Sequence, residues 1–118
     1  MAAKRMARKN ALTSSPPYPV EQAIRRLGAN LRTARLRRNI SIEDVAGKIG
    51  TGRRAVIEAE KGKASTSAAV YMALLWAYDL LAPMDAVADP ASDKEAIALS
   101  TRRERARTKS PHELDSDF

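Results

Sequence analysis

The sequence predicts an all-α domain of five helices, flanked by a flexible basic arm at the N-terminus and a charged tail at the C-terminus. Apolar residues recur at helical spacing from Val20 onward, capping residues and glycines interrupt that pattern, and no stretch alternates in the manner of a strand. We therefore divide the 118 residues into a disordered arm at 1–19, the helical domain at 20–90, and a weakly helical to disordered tail at 91–118.

The first predicted helix begins at Val20 and stops at Asn39, a residue type that tolerates the left-handed conformation of helix ends. Arg37 and Arg38 lie in its last turn, where cations interact favourably with the helix dipole. Its buried stripe is predicted to consist of Val20, Ile24, Leu27, Leu31 and Ala34, with Arg25, Arg26, Arg32 and Arg35 on other faces.

The second and third predicted helices are short and are separated by glycines. Ser41 is a strong N-cap that begins the second helix, and Gly50 ends it. The third helix runs from about Gly52 to Glu60 and is closed by Gly62.

Two further helices complete the predicted domain. Hydroxyl residues from Ser65 to Ser67 can cap a fourth helix, whose apolar residues include Val70, Met72, Leu74, Leu75 and Trp76. A fifth, short helix is predicted from Pro83 to Ala88, because proline fits the first turn of a helix. The apolar residues of this half exceed what one small core needs and therefore predict a homodimer interface; they include Leu74, Leu80, Leu81, Met84 and Val87.

Positive charge is concentrated in the first half of the chain. The formal net charge is +7, yet residues 1–63 hold fifteen basic and five acidic side chains, whereas residues 64–118 hold six basic and nine acidic ones. Such a basic half favours a polyanionic partner, although a surface that is basic only for solubility is the alternative. If the partner is a nucleic acid, the arm is predicted to add phosphate or minor-groove contacts through Lys4, Arg5, Arg8 and Lys9.

The composition excludes several classes of protein. Cysteine is absent from the sequence, which rules out disulfides and thiolate zinc sites and makes a reducing cytoplasm the expected location. No apolar stretch reaches the roughly 20 residues of a membrane span, and the basic N-terminus lacks the apolar core of a signal peptide. No membrane partner is therefore expected.

No arrangement of residues predicts an enzyme, a cofactor or a metal site. Gly50-Thr51-Gly52 could suggest a phosphate-binding loop, but neither a Lys-Ser/Thr pair nor a preceding strand accompanies it. The single histidine, His112, lies in the polar tail. Four aspartates lack the tight spacing of a calcium loop and are expected to cap helices: Asp79, Asp85, Asp89 and Asp93. The glycines at 50 and 52 are therefore predicted to form a turn.

This turn joins two helices in the manner of a helix-turn-helix. A steep angle between short helices requires a small residue facing the turn and a linking residue that tolerates positive φ, and Ala46 and Gly50 meet these requirements. Val45 and Val56 oppose each other from the two helices and complete the motif core. From Ser41 to Gly62 the pattern resembles the helix-turn-helix of the Cro/repressor (XRE) family.

The resemblance implies binding to double-stranded DNA, with defined roles for the residues around the third helix. It assigns base reading to Arg53, Arg54, Ile57 and Glu58, and phosphate binding to Lys48, Gly52, Lys61 and Lys63. The chain departs from the family pattern at Ile42, which replaces a phosphate-contacting glutamine, and at Gly52, which replaces a Ser or Thr cap. Two alternatives stay open: the arginines contact only phosphate or water, or Ile57 turns inward to compensate for the small Ala59.

A narrower resemblance is to the HipB-like XRE regulators, antitoxins that are encoded beside HipA-type kinase toxins. It rests on the stretches Leu31–Asn39, Tyr71–Leu75 and Ala88–Pro90, and it implies a dimeric repressor that binds its own promoter and a HipA-like toxin.

The sequence therefore leaves three candidate functions. They are a repressor that dimerises through its fourth and fifth helices on an inverted-repeat operator, an antitoxin that mainly inhibits a kinase, and an RNA-associated adaptor. The third is disfavoured because the basic half has a single aromatic residue, Tyr18, and so lacks a set of aromatic side chains for stacking on bases.

Overall fold

A computed structural model of the chain describes residues 10–109, which contain helices and no strand, so the all-α fold class is confirmed. The helices are α1 (Ala11–Ser14), α2 (Tyr18–Arg37), α3 (Ile42–Ile49), α4 (Arg53–Glu60), α5 (Ala68–Ala77) and α6 (Lys94–Lys109). Two 3₁₀ turns lie at Ala82–Ala86 and Pro90–Ser92. The chain divides after Leu81 into two compact units, and the first unit contains α1 to α5.

Local capping signals place the ends of the central helices where the sequence predicts them. Asn39 adopts a left-handed φ of 53° after α2. Ser41 caps α3, because its hydroxyl oxygen accepts a 3.0 Å hydrogen bond from the backbone N–H of Asp44. Gly50 ends α3 with φ 81° and ψ 36°, a conformation that costs glycine little. Ser67 caps α5 as Ser41 caps α3.

Helical structure extends further toward the N-terminus than the sequence predicts. Asn10 caps the single turn α1, and α2 begins at Tyr18 rather than at Val20. The prolines that suggested an unfolded segment are compatible with this start, because Pro19 lies in the first turn of α2, where no helical hydrogen bond needs its N–H. The arm's basic residues lie outside the described residues: Lys4, Arg5, Arg8 and Lys9.

The second unit is also more helical than the sequence predicts. Residues expected to be weakly helical at most form the 16-residue helix α6. The short helix predicted from Pro83 to Ala88 is instead a 3₁₀ turn at Ala82–Ala86. The composition of α6 explains this helix, since alanine, arginine, glutamate and lysine favour helices by their intrinsic propensities. His112 lies outside the described residues.

Two of the four aspartates considered as metal ligands act as caps. The carboxylate of Asp89 accepts a hydrogen bond from the N–H of Ala91 at 2.9 Å, and that of Asp93 accepts one from Ala96 at 3.0 Å. Between residues 10 and 109, no group of three His, Cys, Asp or Glu side chains is placed to hold a metal ion. None of the helices described in that range is long and apolar enough to cross a membrane.

The core of the first unit lies between α2, α3, α4 and α5. Its largest fully buried side chains are Leu31, Val45, Val56, Leu74 and Tyr78, and Ala34, Ala46, Ala59 and Tyr71 complete it. Burial of a valine or leucine side chain contributes roughly 1.5–3 kcal/mol. This cluster therefore accounts for much of the stability of the unit, and it includes Val45, Ala46 and Val56 of the predicted motif core.

Two glycines allow the backbone of α2 to lie in direct contact with the backbone at the end of α4. A Cβ atom added to Gly28 would lie 2.5 Å from the carbonyl oxygen of Ala59, and one added to Gly62 would lie 2.5 Å from the Cα atom of Arg25. Neither position has room for a side chain. The placement of α4 against α2 thus depends on both glycines.

A buried ion pair joins the same two helices. The Arg35 guanidinium donates to both carboxylate oxygens of Glu60, at 2.7 Å from Nε and 3.1 Å from Nη2, and to the carbonyl oxygen of Ile40 at 3.0 Å. The two side chains are only 9 % and 6 % exposed, and the hydrogen bond to Glu60 raises the pKa of Arg35. The prediction that Arg35 lies off the buried face was wrong, because it follows Leu31 by four positions and so shares its face of α2.

Tyr78 connects the end of α5 to α2. The Arg38 guanidinium lies over the Tyr78 ring, 5.6 Å from its centre, and donates a 3.0 Å hydrogen bond to the Tyr78 carbonyl oxygen. Within the described part of the chain, the buried Tyr78 hydroxyl has no hydrogen-bond partner. Burial raises the pKa of this hydroxyl, so the side chain acts as a neutral core residue.

Glu60→Gln is expected to lower the free energy of unfolding by about 3 kcal/mol or more, because it leaves the Arg35 charge buried without a counter-ion. Denaturant titration of the purified protein measures this loss. Glu58→Gln is the matched control, since Glu58 lies on the same helix but forms ion pairs with exposed partners, and it should cost about 1 kcal/mol or less. Equal losses in the two variants would contradict a special role for the buried pair.

Candidate nucleic-acid interface

Backbone hydrogen bonds close the turn between α3 and α4. The N–H groups of Gly50 and Thr51 both donate to the carbonyl oxygen of Ala46, at 3.0 and 2.9 Å, as is typical of helices that end in a left-handed residue. Gly52 then takes an extended conformation, with φ −86° and ψ 162°, and precedes α4 without a side-chain cap. The turn therefore starts α4 with two arginines in its first turn.

The exposed side of α4 presents most of the residues predicted to read bases. Arg53 and Arg54 are exposed, whereas Ile57 and Glu58, one turn later, are half-buried. A surface depression of about 200 Å³, which we call the recognition depression, is lined by Arg54, Ile57, Glu58, Lys61 and Lys63. The structure thus brings three predicted base-reading residues together with two predicted phosphate-binding lysines.

In the free protein, Arg53 and Arg54 each form an ion pair with a glutamate. Arg53 Nε donates to Glu43 Oε1 of α3 at 2.8 Å, and each side chain is 63 % exposed. Arg54 Nε lies 3.4 Å from Glu58 Oε1, and the Arg54 side chain is 91 % exposed. Such exposed pairs contribute about 1 kcal/mol or less. Either guanidinium can therefore exchange its carboxylate for another acceptor at little cost.

The other two predicted phosphate-binding residues lie outside the recognition depression. Lys48 of α3 is exposed, and its ammonium lies 5.7 Å from the centre of the Trp76 ring on α5, which is within the range of a cation–π contact. Gly52 is exposed at the start of α4. Lys61 and Lys63 are thus the predicted phosphate ligands that border the depression.

Ile57 lies between two depressions of the surface. Besides the recognition depression, it lines a neighbouring one of about 230 Å³ together with Arg32 and Ile42. Ile57 is half-buried, whereas Ala59, two residues later, is fully buried in the core. Ile42 packs against that core. The Ile57 side chain is therefore accessible from the surface rather than part of the buried cluster.

Sequence reasoning missed two residues of this surface. Glu43 pairs with Arg53 across the turn, and the two positions are ten residues apart, which matches no local spacing rule for ion pairs. Arg32 lies on α2 and reaches the depression beside Ile57. Neither residue shows a signal in the sequence, since both contacts depend on how α2 and α3 pack against α4.

The comparison with protein families selects the same part of the chain. Residues 31–80 match the family model HTH_3, a helix-turn-helix, and this segment extends from the middle of α2 to beyond the end of α5. None of the curated proteins and none of the solved structures compared with the chain matches it. The family match includes the turn at Gly50 and every residue of the recognition depression, and it supports a DNA-binding transcription regulator.

Proposed function

We propose that the protein is a transcriptional repressor that binds double-stranded DNA sequence-specifically, as a homodimer on an inverted-repeat operator. The recognition depression carries this proposal, because it combines an exposed arginine and an accessible isoleucine on the second helix of a helix-turn-helix with two lysines that follow the end of that helix. In such a motif the second helix lies in the major groove, and its N-terminal residues contact base edges. α4 is that helix in this chain, and a repressor bound in this way blocks access to its operator.

The exposed side chains of α4 match the chemistry of base edges. A guanidinium can donate two hydrogen bonds to O6 and N7 of guanine, which suits Arg53 and Arg54 to guanine. Ile57 can pack against the methyl group of thymine, and Glu58 can accept a hydrogen bond from the amino group of cytosine. The exposed ion pairs of the arginines support this role, since both can be exchanged for base contacts at small cost.

The basic groups around α4 match the phosphate backbone. Lys61 and Lys63 border the recognition depression, and Lys48 is exposed on the preceding helix. Gly52 places the first N–H groups of α4 at an exposed helix start, and such groups attract anions because they lack helical partners. Contacts of this kind fix the orientation of the protein on the duplex and leave sequence selection to the base-reading residues.

The outer face of α5 supports the homodimer. The ten residues of α5 include no charged residue, and a helix that is apolar on all sides usually has both faces covered. Tyr71 and Leu74 fill the core, so the expectation that Leu74 is among the apolar residues in excess of one core was wrong. Trp76 and Leu80 are 56 % and 40 % exposed. A second copy that covered them would also supply a second α4, which doubles the number of base pairs read.

A HipB-like antitoxin, which inhibits a HipA-type kinase toxin and uses DNA binding for regulation, is the second candidate function. One observation favours it: α6 lies outside the residues that match the family model, and it exposes Ile97 and Leu99. Exposed apolar side chains on a helix suit contact with another protein. Copurification with a HipA-like kinase from the neighbouring reading frame would support this function, and a neighbouring frame without one would count against it.

Arg54→Ala is expected to weaken binding to the true operator by about 1–3 kcal/mol and to relax the preference at one base pair. Arg53→Ala should do the same at a second base pair. Both side chains are exposed, so the unfolding midpoint should barely change. Anisotropy titrations with operator duplexes that differ at single base pairs measure both effects. Equal losses on the operator and on random duplex would show that the arginines contact phosphate alone.

Ile57→Ser is expected to reduce the discrimination of thymine from cytosine at one position by about 1 kcal/mol or less, the scale of one buried methyl group. The thermal midpoint should change little, because the side chain is accessible from the surface. Ile42→Ser is the matched control, since Ile42 packs against the core and its loss should lower the midpoint. If Ile57→Ser lowered the midpoint and left base preference intact, the inward-facing alternative would hold instead.

Light scattering is expected to show a dimer at micromolar concentration, and Trp76→Glu is expected to convert it to a monomer, because a charge would then lie in the interface. Footprinting should show two protected half-sites about 34 Å apart. Leu12→Glu is the control, since Leu12 is 60 % exposed on α1 and its substitution should leave the dimer intact. A monomeric protein that protects one half-site would contradict this part of the proposal.

A further inference from the structure

We infer that a second basic cleft, beside the recognition depression, binds a phosphate group of the DNA backbone. This flanking cleft has a volume of about 280 Å³, and its polar lining consists of Thr13, Ser14, Glu21, Arg25, Lys61 and Lys63. Thr13, Ser14, Glu21 and Arg25 belong to α1 and α2, outside the residues that match the family model. The inference rests on the proposed function, because its ligand is the same duplex.

Gly62 builds the cleft by bringing the segment after α4 against α2. Its φ is 71°, and a Cβ atom at this position would lie 2.5 Å from the Cα atom of Arg25. Only glycine combines this φ with so close an approach at low cost. The lysines on either side of Gly62 are therefore held on the same rim as Arg25, although they are distant from it in sequence.

The charges in the cleft favour an anion. Arg25, Lys61 and Lys63 contribute three positive charges against the single carboxylate of Glu21. Among the ion pairs of residues 10–109, Arg25 pairs with Glu21 at 3.1 Å, Lys63 lies 4.0 Å from Glu58, and Lys61 has no carboxylate within 4.0 Å. The Arg25 side chain is 64 % exposed, so water screens its pair and a phosphate can compete for it.

The remaining residues of the cleft favour a backbone phosphate over a free nucleotide as the bound anion. Thr13 and Ser14 donate their hydroxyl protons to the carbonyl oxygen of Asn10, at 3.2 and 3.1 Å, so the cations have to supply the contacts to an anion. The lining residues include no aromatic side chain, which leaves no platform on which a nucleotide base could stack. A backbone phosphate fits this site better than a free nucleotide does.

The cleft shares two lining residues with the recognition depression. Lys61 and Lys63 line both, so a strand whose bases face α4 would pass these lysines and reach Arg25 with a neighbouring phosphate. The contact extends the basic surface from α4 to α2. It should therefore add affinity for any duplex and leave base preference unchanged.

Two variants with opposite expected effects test the inference. Arg25→Gln should lower the affinity for the operator and for random duplex several-fold, by similar factors, and should reduce the slope of log K against log salt by about 0.9. Glu21→Gln removes the carboxylate beside the same site and should raise both affinities. Both variants break one exposed ion pair, so an effect on folding would move them in the same direction.

The titrations use the full chain, an operator selected from random-sequence duplexes, and a random duplex over a series of salt concentrations. Opposite shifts for the two variants, with unchanged base preference, support the cleft. An unchanged salt slope for Arg25→Gln, or losses in both variants, would overturn it while the repressor proposal stands. Wild-type protein that binds operator and random duplex equally would refute sequence-specific repression, and the salt slopes would still decide the cleft. Absence of any DNA binding would refute both.

Discussion

The buried ion pair between Arg35 and Glu60 fixes the end of α4, and the candidate DNA-binding surface depends on where that helix lies. Its hydrogen bonds join α2, the segment before α3 at Ile40, and the last residue of α4. Each ion costs several kcal/mol to desolvate and recovers that cost only beside its partner. An arrangement that moved the end of α4 away from α2 would leave two buried charges unpaired, so the pair favours a single position of the helix.

Backbone geometry fixes α4 at both of its ends. At its C-terminal end, Gly28 and Gly62 allow contacts with α2 that no side chain could accommodate. At its N-terminal end, the left-handed Gly50 and the extended Gly52 determine where the helix starts. Val56 and Ala59 anchor the middle of α4 in the core, which explains why Arg53 and Arg54 can remain exposed without loss of a defined position for their helix.

Conformations that depend on a residue and its immediate neighbours in sequence could be predicted. Contacts between residues that are distant in sequence could not. The left-handed Asn39 and Gly50 follow from local chemistry. The burial of Arg35 does not, because its counter-ion lies 25 residues away. The two faces of α5 could not be separated either, since its apolar residues include both the fully buried Leu74 and the exposed Trp76. In the candidate site, the resemblance supplied the base-reading positions. It contained no information on Glu21 of α2 and Glu43 of α3, whose carboxylates pair with Arg25 and Arg53.

The ion pairs described above therefore have two different roles, and the role of each pair depends on how deeply it is buried. Arg35 and Glu60 are shielded from water, so their pair is costly to break and acts as a structural link. Three arginines of the candidate surface, Arg25, Arg53 and Arg54, pair with glutamates while their own side chains are exposed, so water screens the attraction. Their carboxylates also repel the phosphates of a duplex, which lowers affinity for DNA of any sequence. Under the proposed function, binding requires contacts that offset this repulsion, and paired hydrogen bonds to the correct bases are contacts that a random duplex does not supply.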